Sequence, residues 1–530
     1  MSPERYYPSS LNCNAMKKIL AFLLIALSSV ISYETSLFAK PRVNKEDMVI
    51  GAYVYQSKKG IPDPQLVTHV FFAFAHVSES FDGLYIPDEG ELKRVADLKK
   101  KNPEVKVLLS VGGWGSGRFS EMAASARSRS SFAKDCKKAV KKFHLDGIDI
   151  DWEYPKSSTA KISSSPEDTG NFSLLMKDLR EALGRRKLLS IATVCNAKYI
   201  DFKAVLPLID YVNVMAYPLP KGYTYQMSVD AHIAAGVPPC KLVLGMPLYG
   251  GENEETIGKR CDYIVSHNLK GGMYWQWNSE KEGHPLAKVV NDKLRVKRNL
   301  KNVLVLFENG GWHKPLTDVL VPWLDSLAPS RGYAVTGIRN LANVTEEFLY
   351  DYDAVLQIDC PPYPWPKEAQ DAFIKYMNEG RGGYAGYHHA TLLGEFDGYG
   401  MWDWFSWFMG GIRYKNYIAE TCEGTVRLED STHPALSGVP SEFKIPEDEW
   451  YTYDKSPRLA PYIHVLASVD EASYNPSSNI KMGDHPVIWT NTSVKARNIY
   501  FQFGHSPKLM ENEAYLTLLL GSIDWILGNK

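Results

Sequence analysis

The chain has 530 residues, more than one ordinary domain contains, and this length predicts two or three domains. Its 60 basic and 61 acidic residues almost cancel, and this balance argues against a protein that binds nucleic acid or a membrane surface. After residue 40, no apolar stretch is long enough to span a membrane.

Residues 1–39 are predicted to be a leader that contains a secretory signal peptide. Two lysines follow Met16, an alternative start of translation, and precede an apolar run at 19–31 that leads to the small residue Ala39. We expect cleavage after Ala39 and export to the periplasm or the extracellular space, with an uncleaved membrane anchor as the alternative. Export would permit disulfides. The six cysteines after the leader show no spacing typical of a metal site, and we expect most of them to be buried free thiols.

Residues 40–299 are predicted to form the first domain, in which short β-rich runs alternate with helical patterns such as 131–144 and 172–183. The β-rich runs are 48–56, 68–77, 105–115, 145–154, 188–197, 211–218, 241–250 and 271–278. Repeated β–α units predict a parallel sheet, and eight of them predict a closed (β/α)8 barrel. In such barrels the chemistry occurs at the C-terminal ends of the strands.

The fourth β-rich run lies in the stretch L-D-G-I-D-I-D-W-E-Y-P at 145–155, which carries acidic residues among apolar ones. On a strand, Asp149, Asp151 and Glu153 share one face, and the apolar residues between them share the other. Like charges crowded in a low dielectric resist ionising together, so burial raises the pKa of such carboxyl groups. A raised pKa is what a general acid requires near neutral pH. We therefore favour a catalytic strand over a solvated acidic edge strand.

This run resembles the D-x-x-D-x-D-x-E motif of glycoside hydrolase family 18, the chitinases and endo-β-N-acetylglucosaminidases. Asp146, Asp149, Asp151 and Glu153 occupy its four acidic positions. Other strand ends resemble the same family over about residues 48–296. They are the S-x-G-G motif at 110–113, the start of M-x-Y-D at 215–217, the seventh strand at 244–250 and the eighth strand at 271–275.

The resemblance implies substrate-assisted, retaining hydrolysis of β-1,4 linkages to N-acetylglucosamine, with no cofactor required by the barrel. Glu153 would act as acid and then as base, while Asp151 would hold the acetamide N–H of the substrate. Asp149 would tune Asp151 by sharing a proton, and Tyr217 would hydrogen-bond the acetamide oxygen. Trp275 would stack under the sugar before the cleaved bond. The further substrate-binding candidates on these strand ends are Met215, Trp114 and Tyr249.

One position departs from the family pattern, because Pro218 stands where M-x-Y-D has its aspartate. Proline has no polar side chain, so a hydrogen-bonding group beside the acetamide is lost. Three hypotheses stay open: a hydrolase of chitin fragments, a hydrolase of the chitobiose core of N-glycans, and a non-catalytic lectin-like protein. We favour a hydrolase because the carboxylates that are costly to bury are all retained. The seventh and eighth strands lack a large insertion between them, which predicts a shallow, open cleft.

Residues 300–530 are predicted to form a second, doubly wound α/β domain, from β-rich runs at 303–311, 333–338, 354–359 and 382–390 with helices between them. Its landmarks resemble the trehalose-utilisation, or ThuA-like, domain, which is similar to class I glutamine amidotransferases in fold. These landmarks are G-Y-H-H-A at 386–390, H-P at 433–434, D-E-W-Y at 448–451, P-V-I-W at 486–489, G-H at 504–505 and the final helix through Trp525.

In the amidotransferases the turn after the fourth strand presents a nucleophilic cysteine, and here His388 stands in that turn. Glutamine hydrolysis is therefore not expected. His388, His433, Glu449 and His505 are candidates for a polar pocket that binds a metal or a sugar, although a single histidine is more often structural. At 402–409, Trp404, Trp407 and Phe408 share a helical face, and we favour core packing over sugar stacking for it. The oligomeric state stays open.

Overall fold

The computed structural model of the chain describes residues 48–295, 300–308 and 311–529. The predicted leader at 1–39, with its signal peptide and cleavage site, lies outside the described residues. Within those residues, no helix is both long and apolar enough to cross a membrane. Cys136, Cys195, Cys261, Cys360 and Cys422 are buried free thiols, as the sequence predicts.

Eight parallel strands close into a barrel, which confirms the predicted fold of the first domain. Around the barrel the order is β1-β9-β8-β7-β6-β5-β4-β2, and β2 returns to pair with β1. The short β3 pairs with β2 outside the barrel, in the antiparallel sense. The strands are β1 Val49–Tyr55, β2 His69–Val77, β3 Leu84–Tyr85, β4 Lys106–Gly112, β5 Gly147–Asp151, β6 Leu188–Val194, β7 Tyr211–Met215, β8 Leu242–Pro247 and β9 Gly271–Trp275.

Helices connect the barrel strands, and several begin at a side chain that caps the free backbone N–H groups of the first turn. Ser125 accepts from the backbone of Ser128, and Asn253 forms a capping box with Thr256. The helices are α1 Glu89–Ala96, α2 Phe119–Ala124, α3 Ala126–Lys142, α4 Asp168–Leu183, α5 Phe202–Val205, α6 Tyr225–Ala234, α7 Glu254–Ser266 and α8 Pro285–Leu294. Only the helix α7 lies between β8 and β9, so no additional domain is inserted between these two strands beside the cleft.

The second domain is built on a nine-stranded sheet in the order β11-β10-β12-β13-β20-β19-β18-β15-β16. In this order, neighbouring strands from β11 through β13 to β20 are parallel, as the doubly wound pattern predicts. Neighbouring strands from β20 through β18 to β16 are antiparallel. A separate pair, β14 and β17, is also antiparallel. The strands are β10 Lys301–Leu306, β11 Tyr333–Ile338, β12 Ala354–Gln357, β13 Gly383–Tyr387, β14 Tyr414–Tyr417, β15 Cys422–Leu428, β16 Glu442–Asp448, β17 Tyr451–Tyr453, β18 Ile463–Asn475, β19 Pro486–Asn491 and β20 Asn498–Phe501.

Five α-helices pack around this sheet. Gly380 follows the helix Lys367–Glu379 in the left-handed conformation, with a φ of 67°, which is common where a helix ends. The helices are α9 Lys314–Leu327, α10 Glu346–Leu349, α11 Lys367–Glu379, α12 Asp403–Phe408 and α13 Glu513–Ile526. Single 3-10 turns occur at Ser57–Lys59, Asp97–Lys100, Leu206–Leu208, Pro239–Lys241, Trp277–Ser279, Ala328–Arg331, His388–Thr391, Pro434–Leu436, Pro457–Leu459 and Pro507–Glu511.

The two domains contact each other through polar and apolar groups. The Asn268 amide donates to the side-chain oxygen of Asn302 at 2.8 Å, and Lys241 forms an ion pair with Glu347 at 2.9 Å. One buried hydrophobic cluster contains residues of both domains, for example Leu206 of the barrel and Phe348 of the second domain. The barrel and the second sheet are therefore packed together around a shared core.

Candidate functional site

The C-terminal ends of the barrel strands open into a cleft with a volume of about 1290 Å³. This is the end at which such barrels carry their chemistry. Seven of the eight residues predicted for the barrel site line this cleft, and the eighth, Asp149, is buried beneath it. The seven are Glu153, Asp151, Tyr217, Trp275, Met215, Trp114 and Tyr249.

Asp149 is held inside the barrel by four hydrogen-bond donors, each from a different strand. Oδ2 accepts from the Tyr53 hydroxyl and the Ser110 hydroxyl, both at 2.8 Å. Oδ1 accepts from Ser190 Oγ at 2.7 Å and from Asn213 Nδ2 at 3.2 Å. Burial raises the pKa of Asp149, and the four hydrogen bonds lower it. The sequence did not identify Tyr53, Ser190 or Asn213 as partners, because only barrel closure brings them to Asp149.

Asp151 is buried at the end of β5, and its Oδ1 has no hydrogen-bond partner among the described residues. Burial raises the pKa of this carboxyl well above its ordinary value, and the charges of Glu153 and Asp149 add to the effect. Asp151 therefore presents an oxygen that a bound ligand can satisfy.

Glu153 lies two residues beyond the end of β5 and lines the cleft. Burial raises the pKa of its carboxyl to about 7, although a hydrogen bond from Tyr154 lowers it. A carboxyl group with this pKa is partly protonated at neutral pH, and it can both donate and accept a proton there. Glu153 therefore has the properties of a general acid and base.

Two glycines at the end of β4 bring this strand close to the acidic strand, as predicted from the S-x-G-G motif. A Cβ on Gly112 would lie 2.0 Å from the Asp151 carbonyl oxygen, and one on Gly113 would lie 2.7 Å from the ring of Phe74. The Gly113 N–H donates to the Asp151 carbonyl at 2.9 Å. Both glycines have positive φ values, which side chains other than glycine rarely adopt.

Aromatic rings form the floor and the rim of the cleft. Trp275, at the end of β9, stacks on Phe74 with ring centroids 5.7 Å apart, and Tyr53 lies 5.9 Å from it. At the rim, Trp114 is 63% exposed and Tyr249 is 39% exposed. Flat aromatic faces with open edges suit the apolar faces of sugar rings. Phe74 was missed from the sequence because it lies in an apolar strand with no motif.

Tyr217 reaches the cleft through space left by a glycine on the next strand. A Cβ on Gly245 would lie 2.6 Å from the Tyr217 ring. The Tyr217 hydroxyl donates to the Met273 sulfur at 3.4 Å, a weak acceptor that a better one can replace. Pro218, the departure from M-x-Y-D, lines the cleft and adds no hydrogen-bonding side chain.

Asp146, the first acid of the motif, lies just before the start of β5, at the opposite end of this strand from the cleft. Its carboxylate pairs with Lys99 at 2.8 Å and accepts from the Val107 N–H at 2.8 Å. These contacts tie β5 to its neighbours, so Asp146 has a structural place in the barrel.

In the second domain, the structure brings three of the four predicted pocket residues together. His388 Nε2 lies 3.3 Å from Glu449 Oε2, and His505 Nδ1 lies 3.5 Å from the same oxygen. His433 is not with them. Its Nδ1 accepts from the Ala435 N–H at 3.3 Å, and its ring packs against Trp525. The four predicted residues therefore do not form one pocket, because His433 caps a short turn instead.

Three further residues, which the sequence analysis missed, complete this group. His313 lies beside the predicted residues, with its ring centroid 4.7 Å from that of His505. Glu308 Oε1 lies 2.6 Å from His389 Nδ1. Both Glu308 and His313 follow β10 at the carboxyl end of the parallel sheet, and that position is the signal that could have found them. The groups that could hold a metal ion are His313, His388, Glu449 and His505, and Glu308, His313 and His389.

The aromatic helix α12 packs mainly into the core, as favoured. Trp404 stacks on Phe408 with ring centroids 5.4 Å apart, and Phe405 and Phe408 are buried. Trp407, by contrast, is 36% exposed, so the predicted face of Trp404, Trp407 and Phe408 lies only partly in the core.

Comparison with known families agrees with the geometry of both domains. The sequence model of "Glycosyl hydrolases family 18" matches residues 48–253. The first domain belongs to glycosyl hydrolase family 18. The model described as "Trehalose utilisation", ThuA, matches residues 302–526. The chain therefore joins a family 18 domain to a ThuA domain, in the order that the sequence motifs predict.

The family 18 domain is similar to curated chitinases. It is 35% identical over 203 residues to "Chitinase A1" of Niallia circulans, a match that covers 31% of this chain and 29% of that protein. It is 29% identical over 274 residues to "Probable chitinase 2" of Drosophila melanogaster, covering 43% of this chain and 56% of that protein. The chain thus spans between about a third and a half of the length of these relatives.

Solved structures similar to each domain are also found. A family 18 N-acetylglucosaminidase from Paenibacillus barengoltzii has a TM-score of 0.44 at 26% identity, and the match covers 47% of this chain and 100% of that one. A putative ThuA-like protein from Bacteroides uniformis has a TM-score of 0.39 at 24% identity, and the match covers 43% of this chain and 91% of that one.

Proposed function

We propose that the family 18 domain hydrolyses β-1,4 linkages to N-acetylglucosamine with retention of configuration, and that the acetamide of the substrate is the nucleophile. One observation carries the proposal. Glu153, whose pKa is raised to about 7, lines the same cleft as Asp151, which has an oxygen without a hydrogen-bond partner in the described part of the chain. A proton donor and an unsatisfied acceptor side by side are what this reaction requires.

In the first step, the Glu153 carboxyl transfers its proton to the glycosidic oxygen, and the bond from that oxygen to the anomeric carbon breaks. The acetamide carbonyl oxygen of the substrate forms a new bond to the anomeric carbon, which gives an oxazolinium ion. Asp151 accepts a hydrogen bond from the acetamide N–H and holds the acetamide in place. The buried position of Asp151 strengthens this interaction because water does not screen it.

In the second step, the Glu153 carboxylate takes a proton from water, and the oxygen of this water attacks the anomeric carbon. The oxazolinium ring opens, the acetamide is restored, and Glu153 is again protonated. The Tyr217 hydroxyl donates a hydrogen bond to the acetamide oxygen during the reaction, in place of its weak hydrogen bond to the Met273 sulfur. The proposed steps use only side chains, water and the substrate.

The neighbouring residues position the sugar. Trp275 supplies a flat floor beneath the reacting sugar, since its ring is fixed by Phe74 and Tyr53. Trp114 and Tyr249 at the rim would contact sugars on either side, and Met215 would fill the space below the acetamide. Asp149 acts from below as a fixed negative charge that raises the pKa of Asp151.

Chitin fragments are the substrate that we propose first, because similar proteins are named chitinases. The chitobiose core of N-glycans contains the same linkage and is the alternative. Product analysis separates the two substrates: chitin fragments give shorter chitooligosaccharides, whereas an N-glycan gives a free glycan and leaves one N-acetylglucosamine on the peptide.

The test is hydrolysis of a chromogenic N,N′-diacetylchitobioside by the wild-type chain and by Glu153→Gln. The variant keeps the shape of the side chain and removes the proton, so we expect kcat to fall by about 10²–10⁴-fold. Glu255→Gln is the matched control, because Glu255 is an exposed glutamate on α7 of the same barrel, and its variant should turn over normally.

Two results would contradict the proposal. One is equal turnover by the wild type and Glu153→Gln, which would remove Glu153 from the reaction. The other is the absence of turnover by the wild type on chitooligosaccharides and N-glycans while calorimetry detects binding of them. That outcome would establish a lectin-like protein, and Pro218 would then be the departure that marks the lost activity.

A further inference from the structure

The histidine cluster of the second domain lies where an open α/β sheet usually binds its ligand. From β10 the order runs to β11 on one side and to β12 on the other, so the sheet changes direction between β10 and β12. Ligands bind at such a switch point, beyond the carboxyl ends of the strands. Glu308 follows β10, Asp359 follows β12, and His388 follows β13.

The hydrogen bond of His388 fixes which of its ring nitrogens faces the cluster. Nδ1 lies 3.0 Å from the Gln502 carbonyl oxygen, and a carbonyl only accepts, so Nδ1 carries the proton. In the neutral ring Nε2 is then a bare acceptor, and it lies 3.3 Å from the acceptor Glu449 Oε2. His388 is fully buried, and its Nε2 has no hydrogen-bond partner among the described residues. A buried acceptor and a partly buried one face each other, which is unfavourable unless a cation binds both.

His313 and His505 direct further unpartnered nitrogens toward the same point. The His313 residue is 4% exposed, and within the described part of the chain neither of its ring nitrogens has a hydrogen-bond partner. His505 Nδ1 also lacks one, and it lies 3.5 Å from Glu449 Oε2. One ligand atom from each of His313, His388, His505 and Glu449 lies within 4.8 Å of all the others. Buried polar atoms are normally satisfied, so this concentration of unsatisfied ones indicates a missing common partner.

We propose that His313, His388, His505 and Glu449 bind one divalent transition-metal ion of the zinc class. Three imidazole nitrogens and one carboxylate oxygen suit zinc and its neighbours, whereas magnesium and calcium prefer oxygen ligands alone. Bonds of about 2.0–2.1 Å in a tetrahedral site place ligand atoms about 3.3 Å apart. The observed limit of 4.8 Å therefore requires only small side-chain movements on binding.

The surroundings supply charge and orientation for such an ion. Glu308 Oε2 lies 3.9 Å from His313 Nδ1, on the side where a metal-binding histidine usually meets a carboxylate. Asp359 is fully buried, and neither of its oxygens has a hydrogen-bond partner in the residues that the structure describes. With Glu449, these two carboxyl groups provide the negative charge that a divalent cation requires in a buried site. A sugar alone would bring hydroxyl groups but no compensating charge.

The test is metal binding by the full chain, purified without an oligohistidine tag and stripped with a chelator. After incubation with zinc and gel filtration, we expect inductively coupled plasma mass spectrometry to detect about one zinc ion per chain. The Tm of the zinc-loaded protein should be higher than that of the stripped protein. His505→Ala and Glu449→Gln should each weaken zinc binding by at least tenfold. His464→Ala is the matched control, because His464 is 47% exposed and lies outside the cluster, and this variant should bind as the wild type does.

Cobalt substitution adds a readout of the ligands themselves. Cobalt in a four-coordinate nitrogen and oxygen site should give visible absorption bands in the wild type that are lost in Glu449→Gln. Circular dichroism checks that each variant is folded, and Glu449→Gln, which keeps the side-chain shape, serves if an alanine variant is not. The proposal is overturned if the folded wild type retains no zinc, or if the cluster variants retain as much as His464→Ala. None of these measurements depends on hydrolysis by the barrel.

Discussion

Asp149 and Glu153 are carboxyl groups of one short segment, and their surroundings give them different tasks. Asp149 accepts four hydrogen bonds from groups fixed in the barrel interior, so neither of its oxygens is free for a ligand. Glu153 extends past the strand into the cleft, where burial raises its pKa to about 7. Asp149, with both oxygens hydrogen-bonded, is fixed in the barrel interior, whereas the Glu153 carboxyl group can exchange a proton with a ligand in the cleft.

The pKa of Glu153 predicts the alkaline limb of the pH profile. Below pH 7 the carboxyl is mostly protonated and can donate to the glycosidic oxygen, and above pH 7 it is mostly ionised. We therefore expect kcat/KM to fall about tenfold per pH unit above about pH 7, measured with the chromogenic chitobioside.

Tyr154→Phe tests the assignment of this limb. The hydrogen bond from Tyr154 lowers the pKa of Glu153, and phenylalanine removes it while keeping the ring that stacks on Tyr199. The pKa of Glu153 should rise, so the limb should move to higher pH. A limb that moves to lower pH, or a wild-type profile that is flat from pH 6 to 9, would show that another group controls the rate.

The sequence predicted the acids of the site but not the groups that hold them. Asp149, Asp151 and Glu153 lie on one strand, where alternation alone places them on a common face. Tyr53 and Asn213 are distant in sequence from Asp149, and only the closure of the barrel brings them within hydrogen-bond distance. The same holds for His313, which no motif marks and which joins the histidine cluster through the order of the strands.

At the scale of the strand and helix, two glycines make a matched test of packing. In Gly112→Ala, the new Cβ would lie 2.0 Å from the Asp151 carbonyl oxygen, at a φ of 127°. We expect this substitution to lower the free energy of unfolding by about 3 kcal/mol or more, because backbone must move. In Gly170→Ala, within α4, the Cβ meets nothing within 4 Å, and we expect a gain of about 0.5–1 kcal/mol.

Urea unfolding of both variants measures these changes. Gly112→Ala should also lose activity, since the displaced backbone carries Asp151, whereas Gly170→Ala should keep it. Equal stability of the two variants would contradict the close approach of β4 to β5.

Strands and helices with a regular pattern of apolar residues were predictable from the sequence, and those in which this pattern is interrupted were not. All eight barrel strands follow from apolar runs separated by helical patterns. In the second domain, four of the five parallel strands were found in the same way, but the fifth, β20 Asn498–Phe501, and the antiparallel half were not. Its longest strand, β18 Ile463–Asn475, pairs with β15 and β19 through register shifts, and such irregularities break the alternation that sequence analysis requires.

At the scale of the whole molecule, a buried lysine links the two domains. Lys241 belongs to the barrel, its side chain is 4% exposed, and it pairs with Glu347 of the second domain at 2.9 Å. Its Nζ also donates to the Ile209 carbonyl at 3.0 Å. A buried charge that loses its partner is strongly destabilising, whereas an exposed one is not.

Glu347→Ala should therefore lower the free energy of unfolding by about 2 kcal/mol, less than for a fully buried pair because Glu347 is partly exposed. Glu346→Ala is the control, since the neighbouring Glu346 pairs with Lys375 at the surface and should cost less than about 0.5 kcal/mol. Calorimetry of the Glu347→Ala variant should show a single unfolding transition with a lower Tm than that of the wild type. Equal effects of the two substitutions, or two separate transitions of which one moves, would contradict the shared core.

The buried cluster that contains residues of both domains has a consequence for the fate of the protein in a cell. If the chain unfolds as one body, proteases and chaperones meet either the whole native chain or the whole open chain. A mutation beside the histidine cluster that weakens folding would then reduce the abundance of the family 18 domain, although its cleft is untouched. A mutation in one domain would in this way also remove the function of the other domain.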